Sequence, residues 1–144
     1  MNVPEIEITI RAAGDVDQVL AAGFLLDGPP QPEPTASFLA QPGHHLLLAY
    51  EGERPVGFVT GVEMTHPDKG TEMFLYELAV AETHRRQGIG SALVRRLGEL
   101  ARARNCIGMW VATDLPNRPA QATYESTGAV AENPPAVILS WRFD

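Results

Sequence analysis

The residues able to do chemistry gather in one stretch. Arg85-Arg86-Gln87-Gly88-Ile89-Gly90-Ser91 follows the apolar run Met73 to Val80 and opens a helical segment reaching about Arg104. Gly88 and Gly90 let backbone N–H groups approach a ligand with no Cβ in the way. The start of the following helix adds unpaired N–H groups and the positive end of a dipole, which together make an anion site. Arg85 and Arg86 bring cationic charge to the same place, and a pyrophosphate is the natural guest. The run lacks the third glycine of a dinucleotide fingerprint and the Gly-Lys-Ser/Thr of a P-loop. Within the apolar run, Glu77 is the only charged residue. A buried carboxylate is costly, so its presence calls for a reason. It is a general base whose pKa burial raises, a contact for a cationic substrate, or a structural carboxylate paired with a neighbouring arginine.

These residues need elements to position them. Ile6 to Arg11 alternates apolar and polar residues and reads as a first strand. Asp15 caps a helix over Val16, Val19, Leu20 and Phe24. The prolines at 29, 30, 32 and 34 exclude regular structure from Gly28 to Pro34, and a short helix is expected from Thr35 to Ala40. His45 to Tyr50 and Val56 to Val62 are strands joined by a hairpin at Glu51-Gly52-Glu53. Thr71 to Val80 is apolar on both faces and belongs inside a sheet. The helix after the glycine loop shows a buried stripe of Ile89, Leu93, Leu97 and Leu100. Ile107 to Ala112 is another strand. Pro119 opens a helix that Gly128 closes, and Ala136 to Phe143 is a final strand. The order β-α-α-β-β-β-α-β-α-β makes an α/β domain with a mixed sheet flanked by helices, and residues 1–144 read as a single domain.

Composition narrows the partners. The chain carries 11 basic and 18 acidic residues, a net charge of −7. That favours cationic partners and argues against general nucleic-acid binding. The mean hydropathy is −0.09, and no segment approaches the roughly 20 apolar residues of a membrane span. The first residues lack the design of a signal peptide, so a cytoplasmic address is expected. One cysteine, Cys106, excludes an intramolecular disulfide and a cysteine-based zinc site. It reads as a small core residue, His44 and His45 do not suggest a metal, and no metal is expected. Arg85, Arg86, Arg95, Arg96, Arg102 and Arg104 form a local basic segment. From Arg95 onward it is either part of a polyanion site or a solvated helix face. Trp110 and Trp141 read as packing or dimer residues, and a homodimer is one expected assembly.

The loop and its surroundings resemble the GCN5-related N-acetyltransferase (GNAT) family. Arg85-Arg86-Gln87-Gly88-Ile89-Gly90-Ser91 matches the family's signature loop. Asn117, Ala120, Tyr124 and Gly128 match a second motif, from which Thr123 and Ala129 depart. Phe74-Leu75-Tyr76-Glu77-Leu78-Ala79-Val80 followed by His84-Arg85-Arg86-Gln87-Gly88-Ile89 is similar to the aminoglycoside 3-N-acetyltransferases of type I. Asp114 and the Pro119-Ala120 pair are similar too, whereas the proline-rich stretch Gly28 to Pro34 differs.

The resemblance implies a GNAT fold and transfer of an acetyl group from acetyl-CoA to a primary amine of a cationic small molecule, with aminoglycosides as candidates. It implies that Glu77 acts as base and contacts the acceptor, with Tyr76, Glu72 and His84 in reserve. Tyr124 becomes the candidate acid for the departing thiolate. The backbone of Leu78, Ala79 and Val80 would hold the pantetheine arm, with the Leu78 N–H as oxyanion donor. Arg85 to Ser91 would hold the pyrophosphate, and Asn117 and Ala120 would flank the arm. Asp114 either neutralises an acceptor ammonium or caps the turn at Leu115-Pro116. A peptide or protein amine as acceptor, and a non-catalytic acyl-CoA-binding module, are the alternatives.

Overall fold

A computed structural model describes residues 7–143. Five strands, β1 (Ile8–Ala12), β2 (His44–Glu51), β3 (Arg54–His66), β4 (Gly70–Val80) and β5 (Met109–Val111), form one sheet in sequence order. Every ladder is antiparallel except β4–β5, which is parallel. Helices α1 (Val16–Ala21), α2 (Pro32–Ala40), α3 (Ile89–Ala103) and α4 (Arg118–Ser126) complete the fold. The expected mixed sheet and element order are therefore present through α4. Ile6, expected in the first strand, lies outside the described residues.

The sheet has two differently covered faces. One carries Leu47, Ala49, Val59, Met73 and Leu75 and packs under Leu93 and Leu97 of α3. That face keeps the helical stripe buried, as its spacing requires, though Leu100 is only partly covered. A Cβ at Gly61 would lie 2.8 Å from Leu97 Cδ1, so the glycine lets α3 sit directly on β3. The other face carries Leu48, Tyr50 and Phe58 and meets Ala22, Leu25 and Leu26 beyond α1. His45 Nε2 and Arg104 Nε both hold Glu63 Oε2, tying β2 and β3 to the end of α3.

Three expectations are corrected. Helix α2 starts at Pro32, inside the stretch from which prolines were to exclude structure. Pro32 and Pro34 stand in the first turn, where a missing N–H costs nothing because that donor has no intrahelical partner. Phe24 falls beyond α1 in a single 3₁₀ turn, Gly23–Leu25, and is mostly exposed. Ala136 to Phe143 forms no strand with any described residue. Its alternating pattern is that of a strand, but a strand exists only where a partner takes up its backbone groups, and here none does.

Candidate active site

The site is built around an irregularity in β4. Thr60 pairs with Glu77 but Gly61 pairs with Leu75, so Tyr76 is an extra residue in β4. Such a bulge reverses which side chains face which side of the sheet. Before it, Met73 and Leu75 lie under α3. After it, Leu78 and Val80 do, while Ala79 joins the opposite cluster. Glu77 therefore shares the face of Ala79, not of α3. Without the bulge it would be driven into the core beneath α3.

The bulge re-aims the backbone as well. Ahead of it, the Met73 N–H donates toward β5, to Gly108 O. Beyond it, Glu77 N–H donates to Thr60 Oγ1 at 3.0 Å and Ala81 N–H to Val56 O at 2.8 Å, both toward β3. Backbone groups alternate along a strand, so those of Leu78 and Val80 point to the opposite edge. That edge is open, because the β4–β5 ladder runs only from Met73–Met109 to Leu75–Val111. Arg85 Nε already donates to Val80 O across it at 3.3 Å. The Leu78 N–H and its neighbours thus line a gap between diverging strands, where an extended ligand arm can add as a further strand.

At the end of this gap the loop turns into α3. Arg86 and Gly88 both have positive φ, 63° and 81°, the conformational ingredient of an anion-binding nest. Gly88 is the N-cap and has no side chain to satisfy the first N–H groups of a 15-residue helix. The donors of Ile89, Gly90 and Ser91 are thereby left for a ligand. The two glycines serve different ends. Gly88 has open space around it but needs the left-handed conformation. Gly90 faces Thr123 Cγ2, 3.4 Å from where a Cβ would stand. Ile89 buries its side chain in the core, so its contribution is its N–H alone. The Ser91 hydroxyl meets that of Ser126 at 2.9 Å, which docks α4 on α3.

Tyr124 approaches from the α3 side. It packs partly buried against the cluster beneath that helix, opposite the face of Glu77. Its phenol oxygen makes no hydrogen bond among the described residues, and burial pushes its pKa above 10.0. Asn117 is the N-cap of α4, its Oδ1 accepting from Ala120 N–H at 3.2 Å. The cap consumes the Ala120 donor, so Ala120 offers a ligand only space, while the Asn117 amide N–H groups make no hydrogen bond among the described residues. Asp114 is exposed, three residues past Val111 as Leu78 is three past Leu75. Its carbonyl accepts from Asn117 N–H, which makes it part of the turn into α4.

Burial raises the pKa of Glu77 above 4.5, and the negative charge of Asp27 adds to the rise. Asp27 belongs to the segment between α1 and α2, and sequence reasoning missed it. Nothing in the local pattern marks it, because only the folded sheet brings it to Glu77. On β4 and β5, Phe74 stacks on Trp110 with centroids 4.2 Å apart and meets Tyr76 edge-on at 5.6 Å. Two carboxylates and an aromatic group are thus offered beside the gap.

Several arginines are already engaged. Arg95 donates to Ser126 O at 3.1 Å and closes the end of α4, and Arg104 holds Glu63. They brace the fold, which decides against a polyanion role for these two. His84 is buried between Thr83 and Glu51, 2.8 Å from each, and braces the loop instead of facing a substrate. A separate cavity of about 290 Å³ lies between β1, β2, α2 and Arg96, and no candidate site residue lines it. Among the described residues, no helix is long and apolar enough to cross a membrane, and no three His, Cys, Asp or Glu side chains gather as a metal site.

Known proteins share this fold. The pattern of the acetyltransferase (GNAT) family matches residues 16–129. N-acetyltransferase 8 of Rattus norvegicus is 31% identical over 112 residues, covering 76% of this chain and 50% of that protein. The chain therefore spans about half the length of the curated relatives it matches. Among solved structures, an aminoglycoside acetyltransferase from an uncultured soil metagenomic sample, meta-AAC0020, superposes with a TM-score of 0.84 at 21% identity. That match covers 95% of this chain and 97% of the other. AAC(6')-Iy, solved with a bisubstrate analogue joining CoA to acetylneamine, gives 0.81 at 16% identity over 95% and 99% of the two chains. On the family match over residues 16–129, this chain belongs to the GNAT acetyltransferase family, whose members use acetyl-CoA.

Proposed function

We propose that the protein transfers an acetyl group from acetyl-CoA to a primary amine of a cationic small molecule, with aminoglycosides as the first candidates. The observation that carries this reading is the placement of Glu77. The Tyr76 bulge sets its carboxylate, with a raised pKa and Asp27 nearby, on one face of the β4–β5 gap, while Tyr124 stands on the other. A thioester threaded through the gap would have a base on one side and an acid on the other.

In that reaction the ammonium gives one proton to Glu77, its nitrogen attacks the thioester carbonyl, and the second proton that the nitrogen sheds on becoming an amide returns through solvent to the Tyr124 phenolate formed when the sulfur leaves. The Leu78 N–H stabilises the oxygen as it becomes negative. The C–S bond breaks, and the Tyr124 hydroxyl delivers a proton to the departing sulfur. Gly88 to Ser91 and Arg86 hold the pyrophosphate, and the Asn117 amide reaches the pantetheine arm. Asp27, Glu77 and the aromatic group around Trp110 receive the cation, since a desolvated ammonium gains from both carboxylates and ring faces. The acidic net charge works in the same direction.

Aminoglycosides enter because the structures of meta-AAC0020 include a complex with sisomicin, and because the stretch around Glu77 resembles the 3-N-acetyltransferases of type I. A peptide amine is the second acceptor reading. The test is thiol release from acetyl-CoA with sisomicin, spermidine and a lysine-containing peptide in parallel. Turnover with sisomicin, with the product acetylated at the 3-amino group by NMR, is the expected result. Turnover of the peptide alone would move the protein to the second reading. Acetyl-CoA binding without turnover of any amine would leave a binding module.

A further inference from the structure

Strand β3 buries Val56, Phe58 and Val59 and then, at the same depth, a polar residue: Thr60 is 4% exposed. Valine has almost the same shape, and a buried hydroxyl is costly unless it is hydrogen-bonded. The hydroxyl therefore has a task that apolar packing does not supply. Thr60 stands opposite the Tyr76 bulge. It pairs with Glu77, and the next residue, Gly61, already pairs with Leu75. A bulge disrupts the ladder locally, and the backbone groups it displaces must find other partners. Thr60 supplies one from its side chain, Oγ1 accepting from Glu77 N–H at 3.0 Å. Val59 lies in the cluster beneath α3 and Phe58 in the opposite one. By alternation Thr60 shares the face of Phe58, Ala79 and Glu77. The bond thus grips β4 at the first residue whose side chain takes the reversed face.

We propose that Thr60 is a positioning residue: its hydroxyl pins the Tyr76 bulge at Glu77 and so holds the carboxylate on the face where the acceptor amine arrives. The proposal rests on the reading of Glu77 as the base. Without the hydroxyl the Glu77 N–H loses this acceptor, and the bulge is no longer held at that place. A bulge that moved one residue toward Val80 would return Glu77 to the face of α3, because side chains alternate with a period of two. The base would then point away from the acceptor while the glycine loop and α4 stayed as they are.

Thr60→Val removes the acceptor and keeps the shape, and Thr60→Ser keeps the acceptor. Amide hydrogen exchange by NMR reads the bond, and steady-state thiol release with the fastest of the three amines above reads its consequence. In Thr60→Val the Glu77 amide should exchange about 10-fold faster relative to amides of the β2–β3 ladder in the same protein. Its kcat should fall about 10²-fold with the KM for acetyl-CoA nearly constant, the size of effect that a displaced reacting group produces. Thr60→Ser should recover both. Should Thr60→Val not fold, Thr60→Ala is read in the same way. An unchanged exchange rate at Glu77, or faster exchange with the wild-type kcat, overturns the proposal. Glu77→Gln measured in parallel separates its failure from that of the base reading. A slow Glu77→Gln beside a fast Thr60→Val strikes Thr60 alone, whereas a fast Glu77→Gln strikes the base.

Discussion

The β2–β3–β4 ladder and the end of the molecule from β5 onward draw on similar residues and reach opposite states. In β2, Leu47, Leu48 and Ala49 alternate between two buried clusters, held by the five-residue β1 on one side and the thirteen-residue β3 on the other. In the tail, Val137, Ile138 and Leu139 have the same chemistry and stand in water. The difference lies in the partners. β3 has a long strand on each side, whereas β5 is three residues long and has one edge unpaired among the described residues. The candidate site sits where the first regime gives way to the second, just past Leu75–Val111. A rigid ladder fixes Glu77, and the failure of pairing beside it leaves backbone donors for a ligand.

The strongest way to break this contrast is to spoil the open side. Gly88→Val forces a β-branched residue to a φ of 81°, a conformation it strongly resists, and distorts the donors of the α3 start. Acetyl-CoA affinity measured by calorimetry should fall about 100-fold or more, roughly 2.7 kcal/mol. Gly90→Val should act by a different route, through the contact with Thr123. Normal affinity in a folded Gly88→Val protein would remove the loop from the site.

Tyr124→Phe removes one oxygen that makes no described hydrogen bond, so packing should survive. Steady-state kinetics should show kcat reduced by about 10²-fold with KM nearly constant, the lower end for a general acid because a thiolate can leave unprotonated. Unchanged kcat would leave Tyr124 as a core residue that happens to fit the motif.

The ladder half should respond in stability instead. Burial alone would raise the pKa of Glu63, but its hydrogen bonds from His45 and Arg104 outweigh that and hold it below 4.5. Its contribution is therefore present above the unfolded value and is lost as pH falls through the folded one. Glu63→Gln should cost about 1.5–3 kcal/mol in denaturant melts at pH 7, with the turnover of the folded fraction unchanged. Glu77 has the opposite sign. The folded protein keeps a proton that the unfolded chain releases near 4.5, so stability declines as pH rises from there through the folded value. Glu77→Gln should thus raise Tm slightly at pH 7.5 and leave it unchanged at pH 4, the smallest effect of the set. A lowered Tm at pH 7.5 would mean that the carboxylate is structural.

Much of this was legible in the residues. The loop chemistry, the isolated Glu77 and the stripe on α3 follow from type and spacing, because each is local. The bulge at Tyr76 was not legible, since it exists only in the pairing of Thr60 with Glu77 and of Gly61 with Leu75, between two distant strands. It decides which face Glu77 takes, which periodicity alone assigns wrongly. Asp27 stayed hidden for the same reason. The tail shows the converse, a correct strand pattern with no strand, because pairing is a property of neighbours and not of the segment.

The account rests on Glu77 as the base on the rigid side of the gap. Its most direct test is the pH dependence of kcat/KM for wild type and Glu77→Gln, with thiol release as readout and sisomicin as acceptor. Wild type should lose activity on the acid side through a pKa above 4.5. The variant should lack that limb and run about 10²- to 10⁴-fold slower at neutral pH, with acetyl-CoA affinity unchanged. A variant that keeps the wild-type rate and the same acid limb would contradict the assignment and return Glu77 to a structural role.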